Sequence, residues 1–144
     1  STRASASAVF PISIDKVWAA IRDFGAVPRH FSGVESVTLA DGATGTTVGG
    51  VRCIKWKSGE ERHQQLIELS DQFRKITWET VSANHEVESS AAISSIRCFR
   101  VTETNETLVE WATDFAADVD AKTVSIEQAA YLENLKDLRT ALSK

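Results

Sequence analysis

The chain has no methionine, two prolines, two cysteines and a single tyrosine. It also lacks the glycine signatures of phosphate binding, G-x-x-x-x-G-K-[ST] and G-x-G-x-x-G, so no nucleotide cofactor is expected. Gly42, Gly45, Gly49 and Gly50 surround a hairpin instead. No G-x-S-x-G element marks a nucleophile elbow. No apolar run approaches the length of a transmembrane helix, so membrane insertion is not expected. Ser1 to Ala8 is small and polar with one Arg and lacks the apolar core of a signal peptide. With no Met anywhere, the initiator reads as removed or trimmed, and the expected location is the cytoplasm. Cys53 and Cys98 fall in different predicted strands, outside any CxxC pair. They read as two buried thiols of a reducing compartment. His30, His63 and His85 are far apart and show no ligand spacing, so no metal site and no cofactor are expected.

Basic runs are missing too. Sixteen basic and 20 acidic residues leave a net charge of −4, which argues against nucleic acid and anionic membrane as partners. What is present suits one ordinary domain spanning residues 1–144. Hydrophobic residues make up 42% of the 144, enough for a real core. A monomer or weak dimer is the expected state.

Only one stretch carries a long helical pattern, from Asp120 to Leu142. Val124, Tyr131, Leu135, Leu138 and Leu142 recur at helical steps and form one apolar face. A helix of about 23 residues spans roughly 35 Å and needs a partner surface of similar length. Asp120 is a candidate cap, and Ser125 followed by Gln128 offers a second one.

Upstream, Val9 to Ile12 reads as a first strand. Ser13 precedes a short helix through Ile14, Val17, Trp18 and Ile21, ending near Asp23 to Gly25. A second short helix is expected over Pro28 to Phe31. The period then changes to about 2. Strands are expected over Val34–Leu39, Val48–Trp56, Arg62–Leu69, Lys75–Val81, Ala91–Thr102 and Thr107–Phe115. Turn signals at Asp41-Gly42, Ser58-Gly59, Ser70-Asp71 and Thr104-Asn105 separate them, and Ser82 to Glu88 reads as a loop. Short turns make an antiparallel meander, whose apolar face only the C-terminal helix can cover. The fold class is therefore α+β.

The run Asp23-Phe24-Gly25, Pro28-Arg29, Gly33-Val34-Glu35-Ser36-Val37 and Val48-Gly49-Gly50-Val51-Arg52 resembles the polyketide cyclase/dehydrase-like branch of the START/Bet v 1-like superfamily. Leu66 to Asp71, Val109-Glu110-Trp111 with Phe115, and Asn134-Leu135-Lys136 extend the resemblance to most of the chain. It implies a helix-grip fold, a seven-stranded curved antiparallel sheet around the long helix, with a cavity between them. Members of that superfamily bind or transform hydrophobic small molecules. They include lipid carriers, plant hormone receptors, aromatase/cyclases and lachrymatory factor synthases. Arg52 matches an Arg of the synthase catalytic set. Gln64 stands where the synthases carry a Glu, and Ser95 where they carry a cavity Tyr. Trp78 keeps a family aromatic, and His30-Phe31-Ser32 replaces a Trp-His-Pro-like segment at the mouth.

Arg52 shares a strand face with Ile54 and Trp56. It is either a guanidinium inside an apolar cavity, holding a carboxylate, enolate or carbonyl oxygen, or a rim Arg reaching water. A buried Arg needs an acceptor, and Glu68, Glu79 and Glu110 are the candidates on other strands. Arg97, on the face of Ser95 and Phe99, is either a second cavity cation or a solvent-facing strand residue. Trp56, Trp78 and Trp111 lie on three strands and offer the rigid surfaces an apolar pocket uses, or plain core packing. Tyr131 can pack its ring while its hydroxyl reaches a cavity. The expected function is binding of a hydrophobic small molecule. The alternative is a cyclase, dehydratase or isomerase, with Arg52 stabilising an oxyanion and Glu68, Glu79 or Glu110 moving a proton.

Overall fold

In a computed structural model, which describes residues 1–85 and 89–144, seven strands and two α-helices follow one another along the chain. The order is β1 (Arg3–Phe10), α1 (Ile14–Ile21), a 3₁₀ turn (Val27–His30), β2 (Val34–Leu39), β3 (Val51–Trp56), β4 (Glu61–Ser70), β5 (Lys75–Ala83), β6 (Ala92–Val101), β7 (Glu106–Phe115) and α2 (Ala121–Leu142). The strands form one antiparallel sheet ordered β1-β7-β6-β5-β4-β3-β2. The meander expected from the turns is therefore present from β2 to β7, and β1 closes onto β7.

The first strand begins well before Val9. Arg3 to Phe10 pairs with Asp114 to Thr107 along its whole length. Ala and Ser alternate there, so the strand lacks the branched side chains by which a strand is recognised. Val48 to Gly50, expected in β3, forms the preceding turn instead, with Gly49 at φ +88°. The polar loop expected over Ser82 to Glu88 starts later, since Ser82 and Ala83 still belong to β5; its residues 86–88 lie outside the described residues.

Asp120 caps α2 by accepting the Thr123 amide at 2.7 Å. That bond uses one of the free N–H groups of the first turn. Val124, Tyr131, Leu135 and Leu138 are buried, which is the expected stripe, while Leu142 is partly covered. Each fully buried Leu on that stripe contributes about 1.5–3 kcal/mol. α1 is tied to the sheet by Asp71 in the β4–β5 turn. Its carboxylate accepts Trp18 Nε1 at 2.8 Å and Arg22 Nε at 3.0 Å. Those donors, Arg22 first, hold the Asp71 carboxyl below the usual carboxylate range. The core lies between the concave sheet face, α1 and α2. Among the described residues, no helix is long and apolar enough to cross a membrane.

Candidate functional site

Strand alternation sends Arg52, Ile54 and Trp56 of β3 to the concave face. They border a cavity of about 240 Å³ closed on its far side by α2. Gln64 lies directly opposite Arg52 in the β3–β4 ladder. Trp78 comes from β5, Trp111 from β7, Tyr131 from α2 and Phe31 from the end of the 3₁₀ turn. A groove of about 480 Å³ adjoins this cavity, sharing Arg62, Thr80, Phe115 and Glu127 with it.

Arg52 is 5% exposed. Its Nε donates to Gln64 Oε1 and its Nη1 to the Phe24 carbonyl, both at 2.9 Å. The guanidinium carbon lies 3.8 Å from the Phe24 ring centre and 5.0 Å from that of Trp78. Among the described residues, no carboxylate forms an ion pair with it. Burial pulls its pKa down to about 9, so it remains charged at neutral pH. A buried cation held only by neutral acceptors and aromatic faces keeps an unspent attraction for an anion.

From Arg52 an aromatic chain crosses the cavity. Phe24 meets Trp78 at 6.2 Å, Trp78 meets Trp111 edge-on at 5.8 Å, and Trp111 stacks on Tyr131 at 4.7 Å with planes 4° apart. Beyond it, the Tyr131 hydroxyl lies 2.6 Å from Thr113 Oγ1, which lies 2.7 Å from Ser94 Oγ. Two buried donors on the cavity wall, Trp111 Nε1 and Arg62 Nε, have no hydrogen-bond partner. The wall therefore offers broad apolar faces, with one buried guanidinium, that of Arg52, among them.

The family model for polyketide cyclase / dehydrase and lipid transport matches residues 1–142. The chain belongs to the polyketide cyclase/dehydrase and lipid transport family. Solved structures of similar shape include a protein from Nitrosospira multiformis, 24% identical, with TM-score 0.84 over 97% of this chain and 95% of that one. A Bacillus thuringiensis protein is 25% identical, with TM-score 0.81 and 99% of both chains covered. Major latex-like protein 151 of Panax ginseng is 17% identical, with TM-score 0.75 over 96% of this chain and 95% of that one. These likenesses carry the helix-grip fold. No curated protein sequence matches the chain.

Within this polyketide cyclase/dehydrase frame, several expected site residues fall elsewhere. Ser95 and Arg97 lie on the outer face of β6, because Ser94, Ile96 and Cys98 take the inner one. Both faces of β6 carry apolar residues, so its period-2 signal is weak. On the outer face Arg97 lies 4.6 Å from the Phe99 ring and 5.7 Å from the ring of Phe73 in the turn before β5, while Ile93 is exposed. Glu68, Glu79 and Glu110 also point outward. Glu68 accepts from Thr77 Oγ1, Glu79 pairs with exposed Ile93, and Glu110 alternates with the inward Val109 and Trp111. None of the three borders the cavity or partners Arg52. His30 is exposed on the 3₁₀ turn, while its neighbour Phe31 is buried.

Arg62, Ser94 and Thr113 border the cavity without having been expected there. Arg62 and Thr113 were findable, since each lies two positions from an expected inward residue, Gln64 and Trp111, on the same strand. Glu60 and Glu127 are the carboxylates at its rim.

Proposed function

We propose that this protein encloses a compact hydrophobic small molecule whose carboxylate, enolate or carbonyl end meets Arg52. The observation that carries this reading is a buried cation, without a carboxylate partner, in the wall of an aromatic-lined cavity. A cavity of about 240 Å³ suits a one- or two-ring compound or a short chain, and the adjoining groove accommodates a longer tail. The aromatic chain supplies rigid apolar faces for the body of the ligand. Carriage is favoured over proton-transfer catalysis because Gln64, which neither gives nor takes a proton, holds the position opposite Arg52.

The test uses anilinonaphthalene sulfonate, an anionic aromatic probe, titrated into the folded protein and followed by fluorescence. Losing a charge-assisted hydrogen bond removes about 1.5–3 kcal/mol, so Arg52→Gln should weaken binding roughly tenfold or more. Circular dichroism establishes that the variant is folded. Equal affinity in a folded Arg52→Gln protein rules the reading out.

A further inference from the structure

The register that joins Arg52 to Gln64 on the concave face builds a second constellation on the convex one. Cys53 pairs with His63 across β3 and β4, and Glu61 precedes His63 by two positions, so it shares that face. Cys53 Sγ donates to Glu61 Oε1 at 3.3 Å. His63 Nε2 lies 4.0 Å from the same carboxylate oxygen. One potential ligand atom from each of the three residues lies within 4.8 Å of the other two. Among the described residues this is the only such group.

We propose that Cys53, Glu61 and His63 bind one zinc-class divalent ion. A thiolate, an imidazole and a carboxylate together select zinc or its transition-metal neighbours. Magnesium and calcium prefer oxygen alone. Three protein ligands leave the fourth tetrahedral position open to water or an exogenous ligand, the pattern of exchangeable rather than closed structural zinc sites. Metal–ligand bonds of about 2.0–2.3 Å place ligand atoms roughly 3.3–3.7 Å apart in a tetrahedron. Side-chain rotation of about an ångström brings the present group to that spacing. All three residues are half-buried, so the site is reachable by an ion while the backbone that carries it is fixed by ladder hydrogen bonds. Glu61 Oε1 is the shared neighbour of the other two groups, the Cys53 thiol at 3.3 Å and the His63 imidazole at 4.0 Å. The sequence spacing of the three histidines predicts no metal site. The ligands here are one His, one Cys and one Glu, gathered by strand pairing, which spacing does not reveal. The sheet separates this group from the cavity, so the proposal stands independently of any ligand at Arg52.

The test is a titration of the full chain, reduced and freed of metal by a chelator, with cobalt(II) and then zinc(II) in competition. The expected result is a thiolate-to-cobalt charge-transfer band saturating at one equivalent and erased by zinc. Cys53→Ser should abolish the band, and His63→Ala and Glu61→Gln should each weaken zinc binding by about tenfold or more. Cys98→Ser and His85→Ala should leave both unchanged. Circular dichroism checks that each variant is folded, and Glu61→Gln tests the site without touching the thiol. Absence of the band in the wild-type protein, or its persistence in Cys53→Ser, overturns the proposal.

Discussion

Arg52 and Gln64 face each other across the β3–β4 ladder, joined by an Nε–Oε1 hydrogen bond of 2.9 Å inside the core. A neutral amide thus does the work for which a carboxylate would be the usual partner. The consequence is a cation that is positioned but not neutralised. Gln64→Leu should destabilise the protein by about 1–3 kcal/mol, because it strips an acceptor from a buried charge. Arg52→Leu combined with Gln64→Leu should cost less than the sum of the two single changes, since the pair is replaced by apolar groups of similar size. Urea unfolding of the four proteins measures this coupling. Strict additivity would mean that the hydrogen bond contributes nothing.

Tyr131 joins the aromatic chain to the Thr113–Ser94 hydroxyls. Burial first, and then the nearby Glu127 carboxylate, raise its phenol pKa above the ordinary value of about 10. The folded state therefore favours the protonated phenol. Its contribution to stability is complete below pH of about 10 and is lost as pH rises through the raised folded value. Because the chain has one tyrosine, ultraviolet titration reads this group alone. No tyrosinate absorbance should appear at pH of about 10 in the folded protein, and its later appearance should coincide with unfolding. Ordinary titration near 10 in a folded protein would contradict the buried placement.

The three glutamates on the outer face make a negative prediction. Glu68→Gln, Glu79→Gln and Glu110→Gln should each bind the anionic probe with wild-type affinity, and stability should move by no more than about 0.5 kcal/mol. A severalfold change in probe affinity for any of them would place that carboxylate in the cavity after all.

How much of this was readable beforehand differs by element. α2 carries a stripe whose spacing has one interpretation, and Asp120 caps it where a cap was expected. β3 was legible in part: Lys55 marks its outer face between Ile54 and Trp56, but Arg52 read equally as a cavity or a rim residue, and the strand starts at Val51 rather than Val48. β6 was not. Phe99 and Val101 on one face compete with Ile96 and Cys98 on the other, and period 2 does not choose between them. β1 was hidden for a different reason: its core-side residues Ala4, Ala6 and Ala8 are small, and Ser5 and Ser7 alternate with them on the exposed side. Of the two partners of Arg52, Gln64 was placed by the family resemblance, but the other lay beyond pattern reading. It is a backbone carbonyl, Phe24 O, contributed by the segment that follows α1, 28 positions away in sequence.

That loop supplies the last prediction. Phe24 N donates to Gly45 O at 2.9 Å, and Gly25 N donates to Asp23 Oδ1 at 3.1 Å. A Cβ at Gly45 would lie 2.9 Å from Asp23 Cγ and closer still to its Oδ1. Gly45→Ala therefore forces the carboxylate to rotate and give up its bond to Gly25. The loss should be about 0.5–1.5 kcal/mol, with a further effect on the segment that holds Phe24 O against Arg52. Gly33→Ala is the matched control, because its added methyl would only touch Trp56 Cδ1 at 3.7 Å, an ordinary contact. Urea midpoints and anilinonaphthalene sulfonate affinity, measured on both variants, separate the two cases. Gly45→Ala should lower both, and Gly33→Ala should change neither. If Gly45→Ala unfolds at the wild-type midpoint, the Asp23 carboxylate is free to move. The Asp23–Gly25 bond would then contribute nothing to how the loop holds the Phe24 carbonyl against Arg52.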